Sequence, residues 1–273
     1  MSDLEELTNE LMQDPEFKKE YESLQLMMKN ISIPGPFGEL HGAVHECRNE
    51  KNRRKVLIMA HGFRGSMEGG GRAALLAEEI SENIATVVRF NFTWCTMLRN
   101  QVAELKTVID YARETLQPEK LFLLGRSFGG ATCIITACGD ETYRPDGLVL
   151  WSAPNSLKST FTQVMGEQGV QDAIRGKDIV IDDERGRDVI PASFVSDLLQ
   201  YNLGKLLRNW RQGPLLIIHG EKDCIVSPDQ AKTNFDLAGG DKELHYMKDD
   251  DHHLALRWQE AGELVKRWLA SNS

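Results

Sequence analysis

Five short runs of the chain are apolar almost from end to end: VLIMAHG (56–62), TVVRFNF (86–92), LFLLGRS (121–127), GLVLWSAP (147–154) and PLLIIHG (214–220). A strand with one wet face alternates apolar and polar residues, whereas a strand apolar throughout is covered on both faces, as in a mostly parallel sheet. Between the second and third runs, Leu98, Val102, Leu105, Ile109, Ala112 and Leu116 recur at helical spacing. Ala261, Leu264, Val265, Trp268 and Leu269 form a second such stripe near the end. Strands alternating with helices predict an α/β fold, with a mostly parallel central sheet flanked by helices.

Two segments depart from this rhythm. In residues 1–30, Leu4, Leu7 and Leu11, then Phe17, Tyr21 and Leu24, repeat at helical spacing. Asp14 before Pro15 suits an N-cap and first helical position, so two short helices are expected as an N-terminal extension. Alternation and the turns at Gly35 and Gly38 then suggest a pair of strands over 31–47. Residues 155–212 lack an apolar strand run and contain the charged stretch IDDERGRD (181–188). Such a length is too great for a loop and reads as a small cap inserted over the sheet's edge. The expected division is therefore an extension (1–30), a core (31–154 and 213–273) and a cap (155–212).

Composition narrows the function classes. A chain of 273 residues is long enough to bury a large core without disulfides or metals, and no apolar run approaches the roughly 18 residues that span a bilayer. The net charge of -9 opposes nucleic acid and anionic lipid, and no basic cluster offsets it. Five scattered cysteines, Cys47, Cys95, Cys133, Cys138 and Cys224, have neither zinc-site spacing nor the density of a disulfide framework. The acidic opening, Met1 to Glu6, has no basic and apolar leader, so a cytoplasmic location is expected.

The chemistry concentrates in four places. Gly125-Arg126-Ser127-Phe128-Gly129 is G-x-S-x-G between an apolar strand and a helical pattern, where glycines permit a strained turn that exposes the serine hydroxyl. A serine needs a base and a group to orient it. Asp223, just past the run ending at Gly220, lies where open α/β sheets build their sites. His252 and His253, after Asp249-Asp250-Asp251, both qualify as the base; the aspartates themselves read as a solvated acidic turn, since adjacent residues cannot all face one metal. The backbone amides of Phe63 and Phe128 are the expected oxyanion donors, and His61 reads as a hydrogen-bonded structural histidine.

Together HGF, GRSFGG, HGEKDCIVSP and DDDHHL, in that order, resemble the α/β-hydrolase superfamily, in particular its small esterases, including bacterial feruloyl and cinnamoyl esterases and serine-aminopeptidase-like hydrolases. The resemblance runs from about Ile31 to the carboxyl terminus. It implies a triad of Ser127, Asp223 and His252, an acyl-enzyme route, no cofactor or metal, and a small-molecule ester as substrate. The chain departs from the pattern after TVVRFNF, where an Asp-x-x-Gly-x-Gly-x-Ser loop is common, and this makes Trp94 a candidate pocket wall. Phe128 replaces a common Gln or Met, giving a more apolar acyl side. Two other readings stand beside the esterase. One is a peptidase or amidase, with Asp182, Asp183 and Glu184 clamping a free amine. The other is a noncatalytic interaction module with the N-terminal helices as its working part; the alternative for their apolar stripes is to cover the core or a sister subunit in a homodimer.

Overall fold

Residues 28–94, 97–183, 186–211 and 213–272 are described by a computed structural model. The chain opens with β1 (Met28–Gly35) and β2 (Gly38–His45), an antiparallel pair. It continues through β3 (Lys55–Ala60), α1 (Arg72–Asn83), β4 (Thr86–Phe90), α2 (Leu98–Thr115), β5 (Lys120–Arg126), α3 (Phe128–Gly139) and β6 (Gly147–Trp151). The next segment holds α4 (Leu157–Ile174), β7 (Ile179–Asp183), β8 (Gly186–Ile190), α5 (Ala192–Leu198) and α6 (Leu203–Leu207). The core then closes with β9 (Leu215–Gly220), α7 (Pro228–Leu237), β10 (Lys242–Met247) and α8 (Trp258–Ser271).

Eight strands form one sheet in the order β1-β2-β4-β3-β5-β6-β9-β10, parallel from β4 to β10 and antiparallel at β1 and β2. The uniformly apolar strands divide their side chains between two buried layers, as alternation of Cβ direction requires. On β3, Val56, Ile58 and Ala60 enter one layer, with Leu105 and Ile109 of α2 and Ala131 and Ile134 of α3. Leu57 and Met59 enter the other, with Leu76 and Ile80 of α1 and Val265 and Trp268 of α8. Both predicted helical stripes lie on buried faces, and α3, buried from Phe128 to Cys138, is apolar all round because the sheet and neighbouring helices enclose it.

Three features differ from the sequence expectation. β1 begins at Met28, so residues 28–30 belong to the sheet and not to a helical extension; residues 1–27, with the helices expected there, lie outside the described residues. β10 was not anticipated: in KELHYM only Met247 is buried, because the strand forms the sheet's edge and one neighbour suffices. Within the cap, the described residues of the charged stretch belong to β7 and β8, an antiparallel two-stranded sheet of its own with Val180 opposite Val189. The cap has no core of its own either. Its Phe161, Ile190, Phe194, Leu198 and Leu207 join the layer that covers α2 and α3.

The cap is also fixed by polar contacts. Ser156 caps α4 by accepting from the Ser159 amide, and α4 bends at Gly166, whose φ of 75° lies in the left-handed region. Asp197 of α5 is buried and accepts from the Arg99 amide at 3.0 Å, so a cap residue satisfies an orphan donor at the N-terminus of α2. No helix among the described residues is long and apolar enough to cross a membrane.

Candidate active site

The ends of β3, β5 and β9 and the loop after β10 meet at the carboxyl edge of the sheet. Ser127 links β5 to α3 with φ 52° and ψ -122°, a conformation that costs a side-chain-bearing residue on the order of 1–3 kcal/mol. The surroundings hold it there. The Ser127 amide donates to the Trp151 carbonyl at 2.8 Å, and the Gly130 amide donates back to the Ser127 carbonyl at 2.8 Å. A Cβ at Gly129 would sit 2.3 Å from the Ala60 carbonyl oxygen, so only glycine lets the elbow press against β3. Gly62 is similarly confined: a Cβ there would lie 3.1 Å from that of Ser127, which places the loop 61–63 directly beside the nucleophile candidate.

The Ser127 hydroxyl lies 2.9 Å from His252 Nε2, and His252 Nδ1 lies 2.7 Å from Asp223 Oδ2. In the tautomer that satisfies both contacts, Nδ1 donates to the carboxylate and Nε2 accepts from the hydroxyl. Asp223 Oδ1 accepts from the amides of Ile225 and Val226 at 2.9 and 2.8 Å. His219, wholly buried at the end of β9, brings Nε2 within 3.2 Å of Asp223 Oδ2 and 2.7 Å of the Val226 carbonyl. Burial raises the cost of ionising Asp223, but the hydrogen bonds from His219 and His252 and the Val226 amide outweigh it and hold the carboxyl well below its usual range. The aspartate is therefore an anion at neutral pH, fit to orient an imidazole and stabilise its protonated form.

The loop carrying His252 is organised by Asp250, which is buried rather than solvated. Its Oδ1 accepts from the amides of Asp251 and Leu256, and its Oδ2 from that of Arg257 at 2.7 Å. The Asp250 carbonyl also receives the Lys222 amide at 2.8 Å, which ties this loop to the one bearing Asp223. Asp249 pairs with Lys222 at 2.7 Å, and Asp251 accepts from the His253 amide at 2.8 Å. The three aspartates thus serve three different partners. Among the described residues no metal-ligating cluster of three or more side chains occurs.

His253 lies on the exposed side, 3.0 Å from Arg126, which leaves His252 as the histidine brought to Ser127. His61 accepts from the Phe92 amide at Nε2, 3.1 Å away, and meets the Gly62 carbonyl with Nδ1 at 2.9 Å. Burial lowers its pKa, so it is a neutral, hydrogen-bonded support for two loops. Phe128 is the first residue of α3, where amides have no intrahelical acceptor. Its ring and that of Phe63 pack with Phe161 of α4 and Phe194 of α5, at centroid separations of 5.3 to 6.0 Å.

Trp94 remains 57% exposed and donates from Nε1 to Asp188 of β8 at 3.0 Å, which joins the loop after β4 to the cap. Of the three residues of the expected acidic clamp, Asp183 pairs with Arg64 at 2.8 Å, Asp182 is exposed on β7, and Glu184 lies outside the described residues. Sequence reasoning missed Arg64, His219, Asp250 and the cap phenylalanines. The one available signal was the buried-strand position of His219; the others depend on contacts that local pattern does not encode.

No family model matches the chain. It is 27% identical over 185 residues to the mouse protein named Serine hydrolase BPHL, a match covering 61% of this chain and about 60% of that relative's length. Among solved structures, Est1E from Butyrivibrio proteoclasticus superposes with a TM-score of 0.77 at 17% identity, covering 89% of this chain and 98% of that one. The esterase domain from a Rhodothermus marinus protein gives 0.67 at 19% identity, with the same coverage. At these identities the structural likeness is one of fold.

Proposed function

We propose that this chain, which has the α/β-hydrolase fold, is a serine hydrolase that cleaves carboxylic esters through an acyl-enzyme intermediate. The observation that carries the reading is the continuous relay from Ser127 through His252 to Asp223, with contacts of 2.9 and 2.7 Å. His252 takes the serine proton as Oγ attacks the ester carbonyl and returns it to the departing alcohol. Water then enters, is deprotonated by the same imidazole, and releases the acid. Developing charge on the carbonyl oxygen falls to the Phe63 and Phe128 amides, donors of a kind worth about 10²- to 10³-fold each in rate.

For the substrate we infer an ester with a small or flat acyl group, aryl or cinnamoyl types included. Supporting this are the rings of Phe161 and Phe194, packed against those of both donor residues, and the likeness in fold to Est1E, which has also been solved with ferulic acid bound. The engagement of Asp183 by Arg64 favours an ester over a peptide with a free amine, because that carboxylate already has its cation. Turnover of p-nitrophenyl acetate, methyl ferulate and an aminoacyl naphthylamide should be compared in wild type and Ser127→Ala. Ester hydrolysis that falls by about 10⁶-fold in the variant supports the reading; equal hydrolysis by both proteins refutes it.

A further inference from the structure

Core and cap are joined at two consecutive residues of the loop after β3. The first is Phe63, whose ring lies 5.3 Å from those of both Phe161 and Phe194. The second is Arg64, whose side chain is wholly buried. Its Nη1 donates to Asp183 on β7 at 2.8 Å, its Nε to Asp188 on β8, and its Nη2 to the Gly186 carbonyl at 2.8 Å. One guanidinium therefore holds both strands of the cap hairpin and the residue that begins its second strand. Asp188 is shared further, since its other oxygen accepts from Trp94 in the loop after β4.

The backbone of Arg64 is left-handed, with φ 52°. This conformation costs a residue bearing a Cβ about 1–2 kcal/mol, which contacts with its surroundings must offset. Here the three bonds to the hairpin act from one side, and the Gly65 amide, donating to the Gly62 carbonyl at 3.0 Å, closes the turn from the other. Phe63 is inside that turn. An oxyanion donor acts over a narrow range of about 2.7–3.1 Å, so displacement of the loop by an ångström is enough to cost rate.

We propose that Arg64 is a positioning residue that makes a seated cap hairpin the condition for a competent oxyanion hole. The proposal rests on the serine-hydrolase reading and adds to it a coupling between two regions. Without these three acceptors the left-handed turn loses the contacts that hold it, and the Phe63 amide leaves its place.

The test is Asp188→Asn, which keeps the side-chain shape while removing the charge that meets Arg64 Nε, alongside Asp183→Asn and Arg64→Ala. Rates with p-nitrophenyl acetate are normalised to Ser127 titrated by a fluorophosphonate, so that misfolded protein does not enter. The expected result is a kcat lower by about 10- to 100-fold, smaller than outright loss of a donor, with KM within about threefold of wild type. Millimolar guanidinium should restore part of the activity of Arg64→Ala by filling the vacated site. A purely structural clamp would lower the titratable fraction and leave kcat per site unchanged. Unchanged kcat in Asp188→Asn, with wild-type turnover abolished by Ser127→Ala, overturns the positioning role alone. Wild-type turnover that survives Ser127→Ala overturns the hydrolase reading and this proposal with it.

Discussion

The two sides of the site are held together by different kinds of contact. On the triad side the loops are ordered by short-range bonds, Asp223 holding Ile225 and Val226, two and three residues on, and Asp250 holding Asp251, Leu256 and Arg257 within seven, although the His252–Ser127 contact that joins these loops to the elbow spans 125 residues. The cap side is built from long-range ones, with Arg64 meeting Asp183 and Asp188 across 119 and 124 residues of chain. Short-range bonds can order a loop whenever the strand beneath it forms. Long-range bonds exist only once the cap has docked. The loops that carry Asp223 and His252 are thus locally ordered, whereas their meeting with Ser127 and the seating of the cap both depend on tertiary packing.

The largest test of this contrast is on the triad. Asp223→Asn keeps an acceptor for the Ile225 and Val226 amides but removes the anion that orients His252, and kcat should fall by about 10⁴-fold with little loss of fold, read by ester turnover and circular dichroism. On the cap side, the corresponding large effect is in stability. Phe194 is fully buried among three other rings, and Phe194→Ala should cost about 3–5 kcal/mol in urea unfolding. If Phe194→Ala left stability untouched, the cap would not be part of the core.

A pH series probes the buried histidines His61 and His45. Burial lowers the pKa of His61, and burial together with the neighbouring Arg89 lowers that of His45 to about 4. Both are kept neutral by folding, so the unfolded chain binds more protons once the pH falls below about 6.5. Stability should be full above pH 7 and decline toward pH 4, with His45 alone contributing up to about 3 kcal/mol of that decline. Asp223, shifted downward, keeps its contribution above the normal carboxylate range and loses it progressively below about pH 5, mostly beneath this window. Urea midpoints at pH 7.5 and 4.5 provide the measurement, and a flat profile would contradict the assignment. The smallest effect belongs to Trp94: losing one half-exposed hydrogen bond in Trp94→Phe should change stability by about 1 kcal/mol or less.

The same contrast explains what could be read from the sequence. The five apolar runs became buried strands, because burial on both faces leaves an unbroken apolar string. Ser127, Asp223 and His252 were legible because each follows a strand or precedes a helix with its own local signature, and the structure brings all three together. β10 escaped because an edge strand needs few apolar residues. Asp250 was read as solvated since nothing in DDDHH distinguishes the aspartate that turns inward to collect three amides. Arg64 and the cap phenylalanines escaped because their partners lie in other elements, tens to more than a hundred residues away, where periodicity carries no information.

The central claim is that Ser127 is an activated nucleophile. Reaction with a fluorophosphonate followed by peptide mass mapping tests it without knowledge of the substrate. The account predicts a single adduct on Ser127, absent in Ser127→Ala and formed much more slowly in Asp223→Asn. No adduct on the wild-type protein, or an adduct on a different serine, would contradict it.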